Sequence, residues 1–226
     1  KYPEMKYLAY FQAYTNTYGT NDHIKNLYEE ALAVEDVVGL VIGTRPDCIN
    51  DDLLDYFEEL NQRTFLIVEY GVETCNDKTL QLINRGHDFA CACNAIEKTA
   101  NRGIRVGAHI ILGLPGENAE ESLRQAPIIS SLPLTTLKIH QLQIIRGTTL
   151  AKMYAESPFH LYTVEEYIEL IAKYIRLLRP NLILERFVSQ SPPDLLIAPK
   201  WGLKNYEFTH RLHNYMKNNS EIKRIH

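Results

Sequence analysis

Cysteine, phosphate-binding glycine loops and long apolar runs are scarce or missing in this sequence, and each absence excludes a class of protein. Only 4 of the 226 residues are cysteine, too few for a disulfide scaffold in a chain of this length. No apolar run is long enough to span a bilayer, and no Gly-Lys-Ser/Thr loop is present. We therefore expect no membrane partner, no Walker-type nucleotide site and a reducing, cytoplasmic location.

An overall excess of basic residues is missing as well. The formal net charge is -4, which gives no general argument for nucleic-acid binding. Basic residues do gather in the C-terminal third, together with Trp201 and Tyr206. They are Arg176, Arg179, Arg186, Lys200, Lys204, Arg211, Lys217, Lys223 and Arg224. This pattern is typical either of a solvated helix surface or of a surface on which an aromatic ring stacks a base.

Apolar segments alternate with amphipathic ones along the whole chain, without a linker or a repeat. The apolar segments lack polar alternation, as expected for strands buried on both faces of a parallel sheet. The pattern predicts strands over residues 7–14, 37–44, 65–71, 105–112, 136–145 and 182–188. It predicts helices over residues 21–33, 51–62, 77–84, 88–102, 119–131, 164–178 and 206–218. A single α/β domain follows, either a doubly wound sheet or a barrel.

Polar residues follow successive predicted strands, at the ends where parallel sheets carry their functional groups. Gln12, Thr15 and Asn16 follow the first strand. Such amides and hydroxyls bind an ammonium or a ribose, or they only end the strand in a turn. Thr44 and Arg45 follow the second strand. A guanidinium there holds a carboxylate or phosphate, or forms a structural salt bridge.

Charged residues mark the next strands. Glu69 falls inside an apolar segment, so we expect a buried carboxylate whose partner is either a ligand or a basic side chain. Glu73 ends the same segment. Arg85 either lies near the same strand ends as these glutamates or interacts with the negative end of a helix dipole at a helix C-terminus. His109 lies in an apolar strand, where a hydrogen-bonded core histidine is the commoner role.

The turn Gly113-Leu114-Pro115-Gly116-Glu117 directly follows the strand at 105–112 and predicts close approach of a flat ligand to the backbone. His140 and Lys138 share one face of the next strand, which favours a functional role for both. The cysteines lack the spacing of a zinc site, and we interpret Cys91 and Cys93 as packing residues.

Taken together, the order and spacing of these segments resemble the radical S-adenosylmethionine (SAM) superfamily, above all its YhcC-type family, over essentially the whole chain. The matching segments are YFQA (10–13), TNTY (15–18), GTRPDC (43–48), NRGHD (84–88), HIILGLPGE (109–117), KIH (138–140) and IAPKW (197–201).

The resemblance implies a partial (β/α)6 TIM-like barrel, with a radical SAM core over about residues 1–150 and a substrate-side extension over about 151–226. It implies SAM and a [4Fe-4S] cluster, held by a C-x3-C-x2-C loop, and an electron donor such as flavodoxin or ferredoxin. No three cysteines here have that spacing. We therefore expect the first strand and cluster loop to lie upstream of Lys1, and the 226 residues alone to be inactive.

The resemblance also implies roles for individual residues. Gln12, Thr15 and Asn16 lie in the segment whose backbone carbonyls receive the SAM amino group. Arg85 matches an arginine that holds the SAM carboxylate in the coproporphyrinogen-oxidase relatives, and His109 lies where those relatives have an Asp that approaches the ribose. The remaining candidates for cofactor contact are Thr44, Arg45, Glu69, Glu73, Gly113, Pro115 and His140.

For the substrate, VEYGVE (68–73) with NRGH (84–87) resembles the Elongator catalytic subunit, which modifies wobble uridine in tRNA. This implies a tRNA substrate. Two alternatives are a porphyrin or other small-molecule oxidoreductase, as in the coproporphyrinogen-oxidase branch, and a non-catalytic binding barrel.

Overall fold

The protein is described here by a computed structural model that covers residues 4–219. Strands and helices alternate along the chain in the following order: β1 (Tyr7–Phe11), α1 (Asn21–Leu32), β2 (Val37–Thr44), α2 (Asp51–Arg63), β3 (Phe65–Glu73), α3 (Asp77–Leu82), α4 (Phe89–Asn101), β4 (Arg105–Leu112), α5 (Ala119–Ser131), β5 (Thr136–Gln141), β6 (Ile144–Ile145), α6 (Thr149–Glu156), α7 (Val164–Arg176), β7 (Ile183–Arg186), β8 (Leu196–Ala198) and α8 (Asn205–Asn218). A short 3-10 helix at Pro46–Cys48 follows β2.

Six strands form one sheet in the order β1-β2-β3-β4-β5-β7, and β6 pairs with β8 separately. The β1–β2 and β2–β3 pairs are parallel, so a helix connects each strand to the next. A doubly wound sheet reverses its strand order at a switch point, whereas this order follows the chain. The order therefore favours the barrel-type arrangement of the two that the sequence pattern allows.

The described chain forms two compact units. Unit 1 contains the residues up to Val72, His87–His109 and Leu132–Thr136, and unit 2 contains Glu73–Gly86, Ile110–Ser131 and the residues from Leu137 onward. In unit 1, the ring of Tyr28 packs 4.9 Å from Phe11 and 5.8 Å from Phe57, measured between ring centroids. In unit 2, the amphipathic helix α7 buries seven side chains, including Tyr167 and Tyr174. Burial of these rings gives each unit its own apolar core.

Side-chain caps fix several helix starts in the chain. Asn50 accepts from the Leu53 amide at α2, Asp88 accepts from the Cys91 amide at α4, and Thr163 forms a capping box with Glu166 at α7. Helix α1 begins after Thr20, whose side chain forms no capping hydrogen bond.

The predicted bounds are confirmed for β2, β4 and α5. The strand predicted over residues 7–14 ends at Phe11, since Tyr14 has a φ of 58°, outside strand geometry. The strand predicted over 136–145 is interrupted after Gln141 and resumes as β6. Helix α6 and strand β8 were not predicted. Among residues 4–219, no helix has the length and apolar character needed to cross a membrane.

Gly39 on β2 provides a test of this packing. A Cβ at Gly39 would lie 2.3 Å from the Phe65 carbonyl oxygen and 2.9 Å from Leu8 Cδ2. Gly39→Ala should therefore lower the free energy of unfolding by about 1–3 kcal/mol, as measured by urea denaturation. Gly43→Ala on the same strand is the matched control, with its nearest atom at 3.3 Å. Equal losses in the two variants would contradict the packing described for Gly39.

Candidate functional site

A buried carboxylate, Glu69, connects three strands of unit 1. The residue is 2% exposed. Its Oε2 accepts a hydrogen bond from the Tyr10 hydroxyl at 2.8 Å and is also 2.8 Å from His109 Nε2. The donor and acceptor roles in the His109 contact depend on the tautomer of the ring. Tyr10 lies on β1, Glu69 on β3 and His109 on β4.

Gly107 of β4 makes room for this cluster. A Cβ at Gly107 would lie 2.9 Å from Glu69 Cγ and 2.7 Å from Thr136 Oγ1. On the neighbouring strand, Gly43 of β2 is paired in register with Glu69, and a Cβ there would be in ordinary contact with the Tyr10 ring, at 4.0 Å. The position of the Glu69 side chain therefore depends on the glycine at position 107.

The expectation that Glu69 is a buried carboxylate with a partner is confirmed. Its protein partners are His109, which the sequence pattern singled out, and Tyr10, which it did not. A strand tyrosine carries no sequence signal for this role, because the contact joins residues 59 positions apart.

Asn16 and Thr44 hold the loops that follow β1 and β2 in place. Asn16 Nδ2 donates to the carbonyl oxygens of Phe11 and Gly43, both at 2.9 Å. Thr17 Oγ1 lies 2.5 Å from Thr44 Oγ1 and 2.5 Å from the Cys48 carbonyl oxygen. These polar side chains therefore already join the two strand ends to each other.

Gln12, Thr15 and Arg45 lie in the same part of unit 1. Gln12 is exposed and Thr15 is half-buried. The Arg45 guanidinium donates to both carboxylate oxygens of Asp47, at 2.8 and 2.6 Å. This bidentate hydrogen bonding from Arg45 holds the pKa of Asp47 below its usual value. Of the two roles predicted for Arg45, the structure shows the salt bridge.

In unit 2, Arg85 forms an ion pair with Glu73, with Nη2 3.0 Å from Oε1. Both side chains are largely buried, at 21% and 16% exposure. Glu73 has a φ of 67°, in the left-handed region, at the end of β3. Arg85 follows α3 in a turn whose neighbours Asn84 and Gly86 also have positive φ. The two sequence candidates are therefore brought together by two irregular backbone segments.

The turn after β4 is a tight one. The Glu117 amide donates to the Leu114 carbonyl oxygen at 2.9 Å, with Pro115 and Gly116 between them. Gly116 has a φ of 85°, as the third position of a type II turn requires. Gly113, at φ 86°, lies against Tyr162, whose Cε2 would be 3.0 Å from an added Cβ. Pro115 is buried.

A buried polar network at this turn was not predicted. Glu117 Oε1 accepts from the Thr74 hydroxyl at 2.6 Å, and Gln125 Nε2 donates to Glu117 Oε2 at 3.2 Å. Gln125 Oε1 also accepts from the Cys75 amide at 2.9 Å. The network ties the chain after β3 to helix α5.

His140 on β5 is held by a segment from the C-terminal part of unit 2. Its Nδ1 contacts the hydroxyl of Ser189. The Ser189 amide donates to Gln141 Oε1 at 2.7 Å, and the Ser189 carbonyl accepts from Gln141 Nε2 at 3.1 Å. His140 therefore has a fixed orientation. Ser189 could not be found from sequence, because it lies 49 positions away.

A narrow cleft beside the Gly113 turn has no room for a water molecule in this structure. Apolar and aromatic groups and a single amide line it: Leu112, Gly113, Gln141, Leu142, Leu161, Tyr162, Pro199 and Trp201. The Trp201 indole donates to the Tyr162 carbonyl at 3.1 Å and stacks at 9° on Phe208. Such a lining suits the flat face of an aromatic group.

The cysteines do not form a metal site. All four are free thiols. Within residues 4–219, no cluster of three or more His, Cys, Asp or Glu is arranged to bind a metal ion. Burial raises the pKa of the Cys48 and Cys91 thiols, which disfavours the thiolate form that binds iron. The residues described here therefore do not fit a [4Fe-4S] cluster.

Sequence comparison finds two adjacent family profiles. The radical SAM superfamily profile matches residues 5–124, and the Radical_SAM C-terminal domain profile matches residues 134–218. The chain is 37% identical to YtqA of Bacillus subtilis, over 96% of this chain and 68% of YtqA. It is 36% identical to YhcC of Escherichia coli, over 87% of this chain and 64% of YhcC. The chain thus spans about two thirds of the length of these relatives.

More distant relatives include a tRNA uridine(34) acetyltransferase of Methanocaldococcus infernus. It is 27% identical over 87% of this chain and 37% of that protein. Among solved structures, the Elp3 of the same organism superposes with a TM-score of 0.80 at 19% identity, over 95% of this chain and 54% of that one. This structural likeness concerns the fold alone, and it confirms the predicted TIM-like partial barrel.

Tyr10→Phe tests the buried cluster of unit 1. Losing the hydroxyl removes one of the hydrogen bonds to a buried carboxylate, so the free energy of unfolding should fall by about 1–3 kcal/mol. Tyr56→Phe is the matched control, because the Tyr56 hydroxyl donates to the exposed Glu29 at 2.8 Å. Urea denaturation should show a loss below about 1 kcal/mol for that variant. A Tyr10→Phe protein as stable as the wild type would contradict the contact described for Glu69.

Proposed function

The chain belongs to the radical SAM superfamily, as its resemblance to the YhcC-type family predicts, and we propose that the protein is an enzyme that cleaves SAM reductively. The observation that carries this proposal is that two radical SAM family profiles match successive parts of the chain, residues 5–124 and residues 134–218. Bound SAM and a [4Fe-4S] cluster would supply a 5′-deoxyadenosyl radical, while the protein positions and shields the reactants.

In unit 1, we assign the SAM amino group to the segment after β1. The exposed Gln12 and the half-buried Thr15 offer polar groups there. Asn16 and Thr44 support this segment from within, since their side chains already bind Phe11, Gly43 and Thr17. The proposal also keeps Glu69 and His109, which contact each other, as candidate cofactor contacts in unit 1. Arg45 remains paired with Asp47.

In unit 2, we assign the SAM carboxylate to Arg85. A guanidinium binds a carboxylate through two parallel hydrogen bonds, and Glu73 holds this one in place through its ion pair. The proposal also keeps Gly113, Pro115 and His140 as cofactor contacts. The residue types beside Gly113 support it, because aromatic rings such as Tyr162 and Trp201 pack against flat groups.

For the substrate, we propose a uridine at the wobble position of tRNA. The support is the relative named tRNA uridine(34) acetyltransferase, which is similar over 87% of this chain. The proposal includes a flavodoxin or ferredoxin as electron donor and a cytoplasmic location. Mass spectrometry of tRNA nucleosides from a deletion strain tests the substrate. Unchanged nucleosides would rule out wobble-uridine chemistry while leaving SAM cleavage open to a direct assay.

The placement of the cluster can be tested separately. We propose that its cysteine ligands lie outside the 226 residues, because the four cysteines here do not form a metal site. Anaerobic reconstitution of these residues with iron and sulfide should give no [4Fe-4S] absorption or Mössbauer signal. The full-length protein, treated in parallel, is the control. A cluster bound by the 226 residues alone would overturn this placement.

Arg85→Gln tests the assignment of the SAM carboxylate. Loss of a charge-assisted hydrogen-bond pair should weaken SAM binding by about tenfold or more, as measured by equilibrium dialysis with the full-length protein. Arg102→Gln is the control, because Arg102 pairs with the exposed Asp55 at 2.9 Å. Equal SAM affinity in Arg85→Gln and the wild type would contradict the role of Arg85.

A further inference from the structure

Helix α8 of unit 2 presents an outer face with an unusual composition. Phe208, Leu212 and Met216 are buried at a spacing of four residues and fix the inner side of the helix. The exposed residues away from that inner side, called here the α8 outer face, are Tyr206, His210, Arg211, His213, Asn214, Lys217 and Asn218. This set contains no carboxylate, and Glu207, the one acidic residue of α8, is half-buried.

Positive charge is concentrated in this part of the chain. Residues 200–218 contain four Lys or Arg and one acidic residue, whereas the whole chain has 24 basic and 28 acidic residues. The acidic residue is Glu207, and its carboxylate accepts a hydrogen bond from the Lys204 amide at 2.8 Å. Glu207 is therefore used as a helix cap.

Two exposed cations of unit 2 are neutralised within their own helices, since Arg124 of α5 pairs with Glu120 and Glu121, and Lys173 of α7 pairs with Glu169. Arg211 and Lys217 of α8 form no ion pair with any residue between 4 and 219. Their charges thus face solvent and are available to an external anion.

Aromatic and amide groups accompany this charge. Tyr206 is 67% exposed, and it is the one large hydrophobic side chain of α8 that lies on the surface. It lies on the same side of the helix as His210 and Lys217, at positions i, i+4 and i+11. Asn214 Nδ2 lies 3.0 Å from His210 Nε2, so these two polar groups are already ordered.

We propose that the α8 outer face is an RNA-binding surface, an inference that rests on the tRNA substrate of the proposed function. Arg211 and Lys217 bind backbone phosphates, and the Tyr206 ring stacks on an unpaired base. A single exposed ring does not form the contiguous apolar patch that marks many protein interfaces, which favours RNA over a protein partner. Lys223 and Arg224, which also belong to the basic C-terminal third, lie outside the described residues.

The test measures binding of a fluorescein-labelled tRNA anticodon stem-loop to the full-length protein by fluorescence anisotropy over a series of salt concentrations. Tyr206→Ala should weaken binding by about fivefold or more, while Tyr206→Phe keeps the stacking ring and should bind like the wild type. Lys217→Glu should weaken binding and lower the salt slope by about 1. Lys152→Glu on the exposed side of α6 makes the same charge change and should leave the salt slope unchanged.

The experiment distinguishes failure of the α8 outer face as a binding surface from failure of the proposed tRNA substrate. A wild-type protein that does not bind the stem-loop would overturn both this surface and the tRNA substrate. A wild-type protein that binds it, with unchanged affinity and salt slope in Tyr206→Ala and Lys217→Glu, would overturn the α8 surface alone. Thermal melts by circular dichroism confirm that each variant is folded, and SAM affinity should stay at the wild-type value in all of them.

Discussion

The Glu69 carboxylate sets the main constraint on unit 1, because an ionisable group at 2% exposure must have hydrogen-bond partners in the folded chain. Those partners come from β1 and β4, on either side of the strand pair β2–β3. Gly107 has to be a glycine, because a Cβ there would lie 2.9 Å from Glu69 Cγ. One buried carboxylate therefore restricts residue type at four positions on three strands: Tyr10 of β1, Glu69 of β3, and Gly107 and His109 of β4.

In unit 2, polar side chains form separate hydrogen-bond networks near the ends of two strands and are not arranged around one buried carboxylate. Thr74, Glu117 and Gln125 satisfy one another near the turn after β4, and Ser189 satisfies His140 and Gln141 near the end of β5. Both networks join segments far apart in the chain. They fix loops that would otherwise be free at the ends of short strands, since buried polar groups are costly unless they are paired. The Glu73–Arg85 pair adds a charge-assisted contact of the same kind.

The fold was largely predictable from sequence, since apolar periodicity and caps are local signals. Strands β2 and β4 and helix α5 have the bounds that the pattern predicts. The failures were also local in origin. The left-handed backbone at Tyr14 lies outside strand geometry, and α6 has only eight residues, too few for a clear helical periodicity. For the candidate site, residue types identified Glu69, His109, Glu73 and Arg85, but not how they pair. Tyr10, Thr17 and Ser189 act through contacts over 27 or more positions, and no periodicity reports such contacts.

The position of Trp201 determines which part of this protein its tryptophan fluorescence reports on in solution. It is the one tryptophan in the sequence, it stacks on Phe208, and its indole N–H is bound to the Tyr162 carbonyl. The intrinsic emission of the protein excited at the indole band therefore comes from a single chromophore in unit 2. Any change in polarity at the cleft beside Gly113 will shift that emission. Unit 1 has no such reporter, so its unfolding must be followed through tyrosine or backbone signals.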